Sequence, residues 1–196
     1  ESDQTTHYSI IDHNGNSVSV TTTLNTNYGS KVFVEEGGFF LNNEMDDFSS
    51  KPGYPNTFGL IGSEANSIEG NKRMLSSMTP TIVLKDGKPS LILGTPGGST
   101  IITSVFQTIL NVYEFGMSIK EAVKVPRFHH QWLPDAVIFE DGVLDRTKDS
   151  ILRSKNYTIV PLPISIETSG MSPRSSIGRV DAIFINEKGK VKGGAD

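Results

Sequence analysis

An apolar hairpin that runs into a glycine turn and then an amphipathic helix limits this chain to a layered fold. Thr81-Ile-Val-Leu-Lys85 and Ser90-Leu-Ile-Leu-Gly94 flank Asp86-Gly87, a turn pair whose backbone twist suits a two-residue hairpin. Both runs are nearly continuous in aliphatic side chains, which predicts a sheet covered on both faces. Thr95-Pro-Gly-Gly-Ser-Thr100 reads as a turn. Ile101, Ile102, Val105, Phe106, Ile109, Leu110, Val112 and Tyr113 then recur at helical spacing, and Gly116 is a suitable stop.

The flanking segments extend this pattern. A strand from His7 and a partner from Ser17 to Leu24 surround the Asn14-Gly15 turn, so the chain opens on a hairpin. Gly37-Gly-Phe-Phe-Leu41 is a second apolar run, and residues 48–70 are rich in Gly, Pro, Ser and Asn, which predicts a long ordered loop. Ser118 is placed to cap a short helix ended by Pro126. Strands are expected at 137–140, 158–160, 181–185 and 190–192, with a helix at 147–155 between the first two. Residues 165–178 read as polar and irregular, and no internal repeat or low-complexity tract occurs. Strands outnumber helices while two or three helices are well supported, which favours an α+β layered domain over an all-β sandwich.

At 196 residues the chain suits one core-bearing unit. Its 18 Lys+Arg against 22 Asp+Glu give a formal charge of -4, no electrostatic footprint for nucleic acid or anionic lipid. The lack of Cys removes disulfides, thiolate metal sites and a cysteine nucleophile, and leaves the redox compartment open. The longest apolar stretch, 101–117, contains Thr103, Ser104, Gln107, Asn111 and Glu114 and so predicts no membrane span. The chain opens at Glu1 with no leader, so a targeting segment is expected upstream, in a longer precursor.

Several groups could carry chemistry. Gly94-Thr-Pro-Gly-Gly-Ser-Thr100 lies between a strand and a helix, where backbone N–H groups gather to hold an anion or a developing oxyanion. Taken alone it serves equally as a tight turn, and it has neither the P-loop Lys nor dinucleotide spacing. Asn42-Asn-Glu-Met-Asp-Asp47 places Glu44 and Asp47 where they could grip an ammonium or a hard cation, or simply form a solvated turn. Phe128-His-His-Gln-Trp132 has no third ligand at metal-binding spacing and reads as an aromatic cluster. The four His read as structural, and no Ser/His/Asp triad can be assembled from them.

Gln4-Thr5-Thr6-His7-Tyr8-Ser9 at the head of a strand resembles the autoprocessing junction of the γ-glutamyltranspeptidases, members of the N-terminal nucleophile hydrolase superfamily. Further matches follow in order: Thr23-Leu-Asn25, Leu41-Asn-Asn-Glu-Met-Asp-Asp-Phe48, Asn71-Lys-Arg, Leu75-Ser-Ser-Met-Thr-Pro80, Gly94-Thr-Pro-Gly-Gly-Ser99 and Pro126-Arg-Phe-His. They cover roughly the first 135 residues; the remainder matches loosely. Met74 stands where Pro is frequent in the family and Thr95 where Ser is common.

The resemblance implies a precursor that cuts itself before Thr5, with residues 1–4 ending the large subunit and 5–196 forming the small one. It implies a four-layer αββα sandwich, with the large subunit of the same precursor supplying the rest of the sheets and helices. Thr5 would be the nucleophile, Thr23 its orienting neighbour, and Gly97 and Gly98 the oxyanion donors. Asn25, Glu44 and Asp47 would hold the α-ammonium of a γ-glutamyl head, and Ser76 and Ser77 its carboxylate. The implied substrates are glutathione or other γ-glutamyl compounds, with water, amino acids or peptides as acceptors. No cofactor or metal is implied, and relatives with these motifs act in the periplasm or outside the cell. Two enzymatic alternatives share the superfamily: an acylase of cephalosporin type, which the complete head-binding set weighs against, and a poly-γ-glutamate depolymerase, which it weighs against less. A non-catalytic, unprocessed homologue acting as a binding protein is the third.

Overall fold

The computed structural model describes residues 5–162 and 176–196. The expected cleavage tail at 1–4 and most of the irregular stretch 165–178 lie outside the described residues.

β1 (Thr5–Ile11) and β2 (Ser17–Thr23) form the opening hairpin in the register Thr5 to Thr23. Asp12 shapes its turn by accepting the amides of Asn14 and Asn16, each at 2.9 Å. β3 (Phe33–Val34) and β4 (Phe39–Phe40) make a small hairpin that is too short to show as periodicity. β5 (Thr81–Lys85) and β6 (Lys88–Gly94) follow, then α1 (Ile101–Tyr113) and α2 (Ile119–Ala122). The chain continues through β7 (Phe128–His129), β8 (Val137–Phe139), α3 (Arg146–Ser154), β9 (Ile159–Pro161), β10 (Asp181–Ile185) and β11 (Val191–Ala195). Gly116 takes φ +65°, a left-handed conformation that ends a helix with little strain in Gly. At α2, Ser118 and Glu121 form a reciprocal capping box, so this short helix is held mainly by its cap and its packing.

Three layers result. The four-stranded antiparallel sheet β11-β10-β6-β5 is the middle one. Leu91 and Leu93 of β6 pack with Ile101, Val105, Ile119 and Val123 beneath α1 and α2. Each buried aliphatic of this kind contributes about 1.5–3 kcal/mol. The other face of β6 meets the β1–β2 hairpin. Residues 91–94 are accordingly sealed on both sides, as the sequence predicts. β5 departs from that expectation: Ile82 is 39% and Leu84 59% exposed, because β5 is the edge strand and only its neighbour has cover on both faces. A further sheet, β7-β8-β9, pairs β8 and β9 in parallel across α3. The 48–70 loop is tied by bridges Ser49 to Ser67 and Pro55 to Ile61.

Candidate active site

The head of β1 carries the first group. Thr5, His7 and Ser9 share one face of β1, opposite Thr23, Thr21 and Ser19 of β2. Alternation along the two strands therefore lays a polar ladder against the middle sheet. The Thr5 hydroxyl donates to Thr23 Oγ1 at 3.1 Å, and the Asn25 amide donates to the same oxygen at 2.9 Å. His7 sits between Thr21 Oγ1 at 2.8 Å and Ser9 Oγ at 3.1 Å. Burial lowers its pKa, opposed by the charge of Asp181, so the ring stays neutral near pH 7. A Cβ on Gly94 would come within 2.3 Å of that ring, so β1 is seated directly on the end of β6.

Residues 95–98 leave β6 at the same point. Gly97 adopts φ +146° and Gly98 φ +58°, and Thr100 donates to the Gly97 carbonyl through its amide at 3.2 Å and its hydroxyl at 2.9 Å. Among the described residues neither Gly97 nor Gly98 gives its N–H to a protein acceptor. Two adjacent N–H groups at the entry to a helix are suited to a developing oxyanion.

That turn is backed by residues 177–179. Thr95 Oγ1 accepts the Arg179 amide at 2.6 Å and donates to the Pro96 carbonyl at 2.7 Å, and Ser104 Oγ donates to the Ile177 carbonyl at 3.2 Å. Thr95 is fully buried, so its hydroxyl ties the turn to residue 179 from inside the fold. Arg127, 4% exposed, anchors the backing segment by donating to the carbonyls of Ile177 at 2.6 Å and Val123 at 2.9 Å. It is paired with Asp196, and Glu140 accepts the amides of Arg127 at 2.6 Å and Ile177 at 2.8 Å. A buried guanidinium satisfied by carbonyls and carboxylates fixes geometry at the cost of desolvation.

The acidic turn is a single 3-10 turn, Glu44–Asp47. Burial first, then the Glu44 and Asp46 carboxylates, raise Asp47 to about 6. Burial also raises Glu44. The raised Asp47 and Glu44 would be eased by a positive group beside them, while Asp46 turns to the Thr57 amide at 3.1 Å. Asn43 and Asn66, which sequence reasoning missed, fasten this turn on two sides. Asn66 Nδ2 donates to the Asp47 carbonyl at 2.7 Å while its Oδ1 accepts the Leu75 amide at 3.0 Å. That bond brings the serine segment beside the acids. Ser77 and Asp47 line a common cavity of about 450 Å³, and Ser76 is exposed with its hydroxyl accepting the Met78 amide at 3.1 Å.

The structure thus brings Thr5, Thr23 and Asn25 together in one hydrogen-bonded run, Glu44 and Asp47 on one turn, and Gly97 and Gly98 on another. Arg127 lies in the quoted Pro126-Arg-Phe-His run, so its position had a sequence signal although its role had none. Asn43 likewise lies in the quoted run 41–48 with no signal for its role, and Asn66 and Glu140 had no signal at all. Among the described residues no cluster of three or more His, Cys, Asp or Glu could hold a metal, and no helix is long and apolar enough to cross a membrane.

A layered α+β fold that seats a threonine-headed strand on the end of β6, where a glycine turn leads into a helix, is of a class suited to acyl transfer. The family model described as gamma-glutamyltranspeptidase matches residues 1–196. The glutathione hydrolase proenzyme of Escherichia coli (strain K12) is 45% identical over 196 residues, covering 100% of this chain and 32% of that protein. The glutathione hydrolase proenzyme of Pseudomonas aeruginosa is 57% identical over 142 residues, 72% of this chain and 26% of that one. A crystal structure of a mutant gamma-glutamyltranspeptidase from Helicobacter pylori superposes with a TM-score of 0.86 at 49% identity, covering 97% of this chain and 98% of that chain. The chain belongs to the γ-glutamyltranspeptidase family. It spans about a third or less of the length of these curated relatives, and is a segment of a precursor.

Proposed function

We propose that this segment is the small catalytic subunit of a γ-glutamyltranspeptidase and glutathione hydrolase, released when the precursor cuts itself before Thr5. The observation that carries this reading is the Thr5 hydroxyl, held at 3.1 Å on Thr23 at the head of β1. Once Thr5 is N-terminal, its α-amine, with a reference pKa of about 7.7–8.0, can take the hydroxyl proton at working pH; an internal Thr offers only an amide nitrogen. Thr5 Oγ1 attacks the γ-carbonyl of glutathione or another γ-glutamyl compound, the Gly97 and Gly98 amides take the oxyanion, and the amine leaves with a proton. The γ-glutamyl ester then passes to water or to an amino acid or peptide. Asn25, Glu44 and Asp47 hold the α-ammonium, and Ser76 and Ser77 hold the α-carboxylate. No cofactor enters this scheme.

The large-subunit region is the proposed partner. It completes the αββα sandwich over the outer face of the β1–β2 hairpin, where Tyr8, Ile10 and Val18 stand 44%, 50% and 45% exposed. Such a face needs a cover. The periplasm or the cell exterior is the proposed location.

The direct test is release of a chromogenic amine from a γ-glutamyl anilide by the full-length precursor, with and without a dipeptide acceptor. Release that the dipeptide stimulates is the expected result. Fully cleaved protein that releases nothing would contradict the γ-glutamyl assignment.

Asp47 also sets a pH dependence. Its folded value of about 6 lies above the 3.8 of a free Asp, so the folded chain retains a proton that the unfolded chain gives up between these values. Its contribution to stability therefore falls as pH rises through that window. A bound ammonium reverses the preference, because it stabilises the carboxylate. Affinity for L-glutamate is expected to fall by up to about tenfold per pH unit below 6 and to level off above it. Titration calorimetry in buffers of different ionisation enthalpy should show proton release on binding, and Asp47→Asn should bind weakly with a flat profile. A wild-type affinity independent of pH would remove Asp47 from ammonium recognition.

A further inference from the structure

We propose that Asn43 is a positioning residue that sets the span between the nucleophile and the ammonium-binding turn, and through it the length of acyl donor that fits. This inference rests on the γ-glutamyl reading above and adds a residue that makes no contact with the reacting atoms. Asn43 is the residue just before the Glu44–Asp47 turn, and all four of its polar groups are used across the gap to residues 24–26. Its amide donates to the Leu24 carbonyl at 3.2 Å, and its own carbonyl accepts Asn25 Nδ2 at 3.3 Å. Its side-chain Oδ1 accepts the Thr26 amide at 3.1 Å, and Nδ2 donates to Thr26 Oγ1 at 2.9 Å.

The other end of that clasp reaches the nucleophile. The Asn25 amide donates to Thr23 Oγ1, the same oxygen that accepts the Thr5 hydroxyl. Asn25 adopts φ +75° and is 5% exposed, a conformation that Asn tolerates better than most residues but that needs support from its neighbours. The continuous run Thr5–Thr23–Asn25–Asn43–Glu44 therefore fixes how far the acids stand from Thr5 Oγ1. A γ-carbonyl lies one methylene farther from the α-ammonium than a β-carbonyl. Positioning errors of about 1 Å at a reacting centre cost on the order of 10²-fold in rate, so a rigid span would separate γ-glutamyl from β-aspartyl donors.

The side chain is used in one sense only. Thr26 gives its single hydroxyl hydrogen to the Gly29 carbonyl at 3.1 Å, so its oxygen must accept from Nδ2. An Asp at position 43 would place a carboxylate oxygen against that lone pair and a fourth negative charge beside Glu44. Asn43→Asp should therefore be at least as damaging as Asn43→Ala, despite its matching shape.

The test uses the full-length precursor. With Asn43→Ala, self-cleavage should stay within about twofold of wild type, since it needs Thr5 and the glycine turn and no glutamyl head. KM for a γ-glutamyl anilide should rise roughly tenfold or more, the loss of one to two hydrogen bonds' worth of order, and the preference for γ-glutamyl over β-aspartyl anilide should shrink. Hydrogen exchange, which needs no substrate, should quicken across 24–47 and remain unchanged across 5–22. Unchanged donor preference and unchanged exchange in 24–47 would overturn the proposal, as would self-cleavage, kcat and exchange of 5–22 all failing together, which is the signature of a merely structural residue. A wild-type protein that releases no anilide would instead defeat the γ-glutamyl reading, and the exchange pattern would still decide whether Asn43 ties the two segments.

Discussion

Thr5→Ala is expected to leave the precursor as one uncut chain and to lower γ-glutamyl release by roughly 10⁴-fold or more, the scale on which removal of a covalent nucleophile acts. Both losses come from one atom. In the proposed mechanism Thr5 Oγ1 attacks its own preceding peptide bond and, after cleavage, the donor's γ-carbonyl. The fold should survive the change. Thr5 contributes one hydroxyl bond to Thr23, worth about 1 kcal/mol, and lies outside the core beneath α1 and α2. Denaturing electrophoresis reads the cleavage and the anilide assay reads the turnover. A variant that is cut, or that turns over donor at a wild-type rate, would mean the nucleophile lies elsewhere.

The second large effect belongs to the glycine turn. Gly97 holds φ +146°, where an L side chain is strained, and a Cβ there would sit 2.6 Å from Thr100 Oγ1 and 3.2 Å from the Gly178 Cα. Thr100 could rotate, but Gly178 is backbone, pinned through Ile177 by Arg127 and Glu140. Gly97→Ala must therefore be met by movement of the turn itself. Its N–H groups leave their alignment, and kcat is expected to fall by roughly 10²–10³-fold, as when an oxyanion donor is lost. Self-cleavage should slow in parallel, because it passes through the same kind of tetrahedral oxyanion, while KM for the donor changes little. A steady-state comparison with wild type, together with a time course of cleavage, separates this from the Thr5 variant, which never cuts. Normal kcat in Gly97→Ala would place the oxyanion donors elsewhere.

Local chemistry explains which parts of this molecule could be read from its sequence. The Asn14-Gly15 and Asp86-Gly87 turns, the spacing of Ile101 to Tyr113 and the Ser118 cap each depend on neighbours within a few residues, and each forms the element expected. The α3 helix starts one residue earlier than expected because Asp145 caps it by accepting the Lys148 amide at 2.8 Å, itself a short-range signal. The exposure of β5 was not legible, since an edge strand and a central strand can share the same aliphatic run and differ only in what lies beside them.

The site divides in the same way. Glu44, Asp47 and the turn holding Gly97 and Gly98 stand out from their own chemistry as places for an ammonium and an oxyanion, whereas Thr5, Thr23, Asn25, Ser76 and Ser77 are marked only by resemblance, because a Thr at a strand head or a Ser in a loop has no distinctive pattern of its own. Asn43, Asn66, Arg127 and Glu140 act through backbone groups distant in sequence. Asn66 joins Asp47 to Leu75, and Arg127 joins Val123 to Ile177. An Asn in a polar loop looks like a turn former until the fold supplies its partners. The residues that hold the chemistry in place are thus the ones periodicity and composition leave unmarked.

The central claim is that Thr5 carries the γ-glutamyl group. It is tested most directly by acid-quenching the self-cleaved protein during turnover of a γ-glutamyl anilide and sequencing its peptides by mass spectrometry. The expected result is a γ-glutamyl ester on the peptide that begins at Thr5, lost when a dipeptide acceptor is added before the quench. Steady release of the amine with the acyl group on another residue would contradict it.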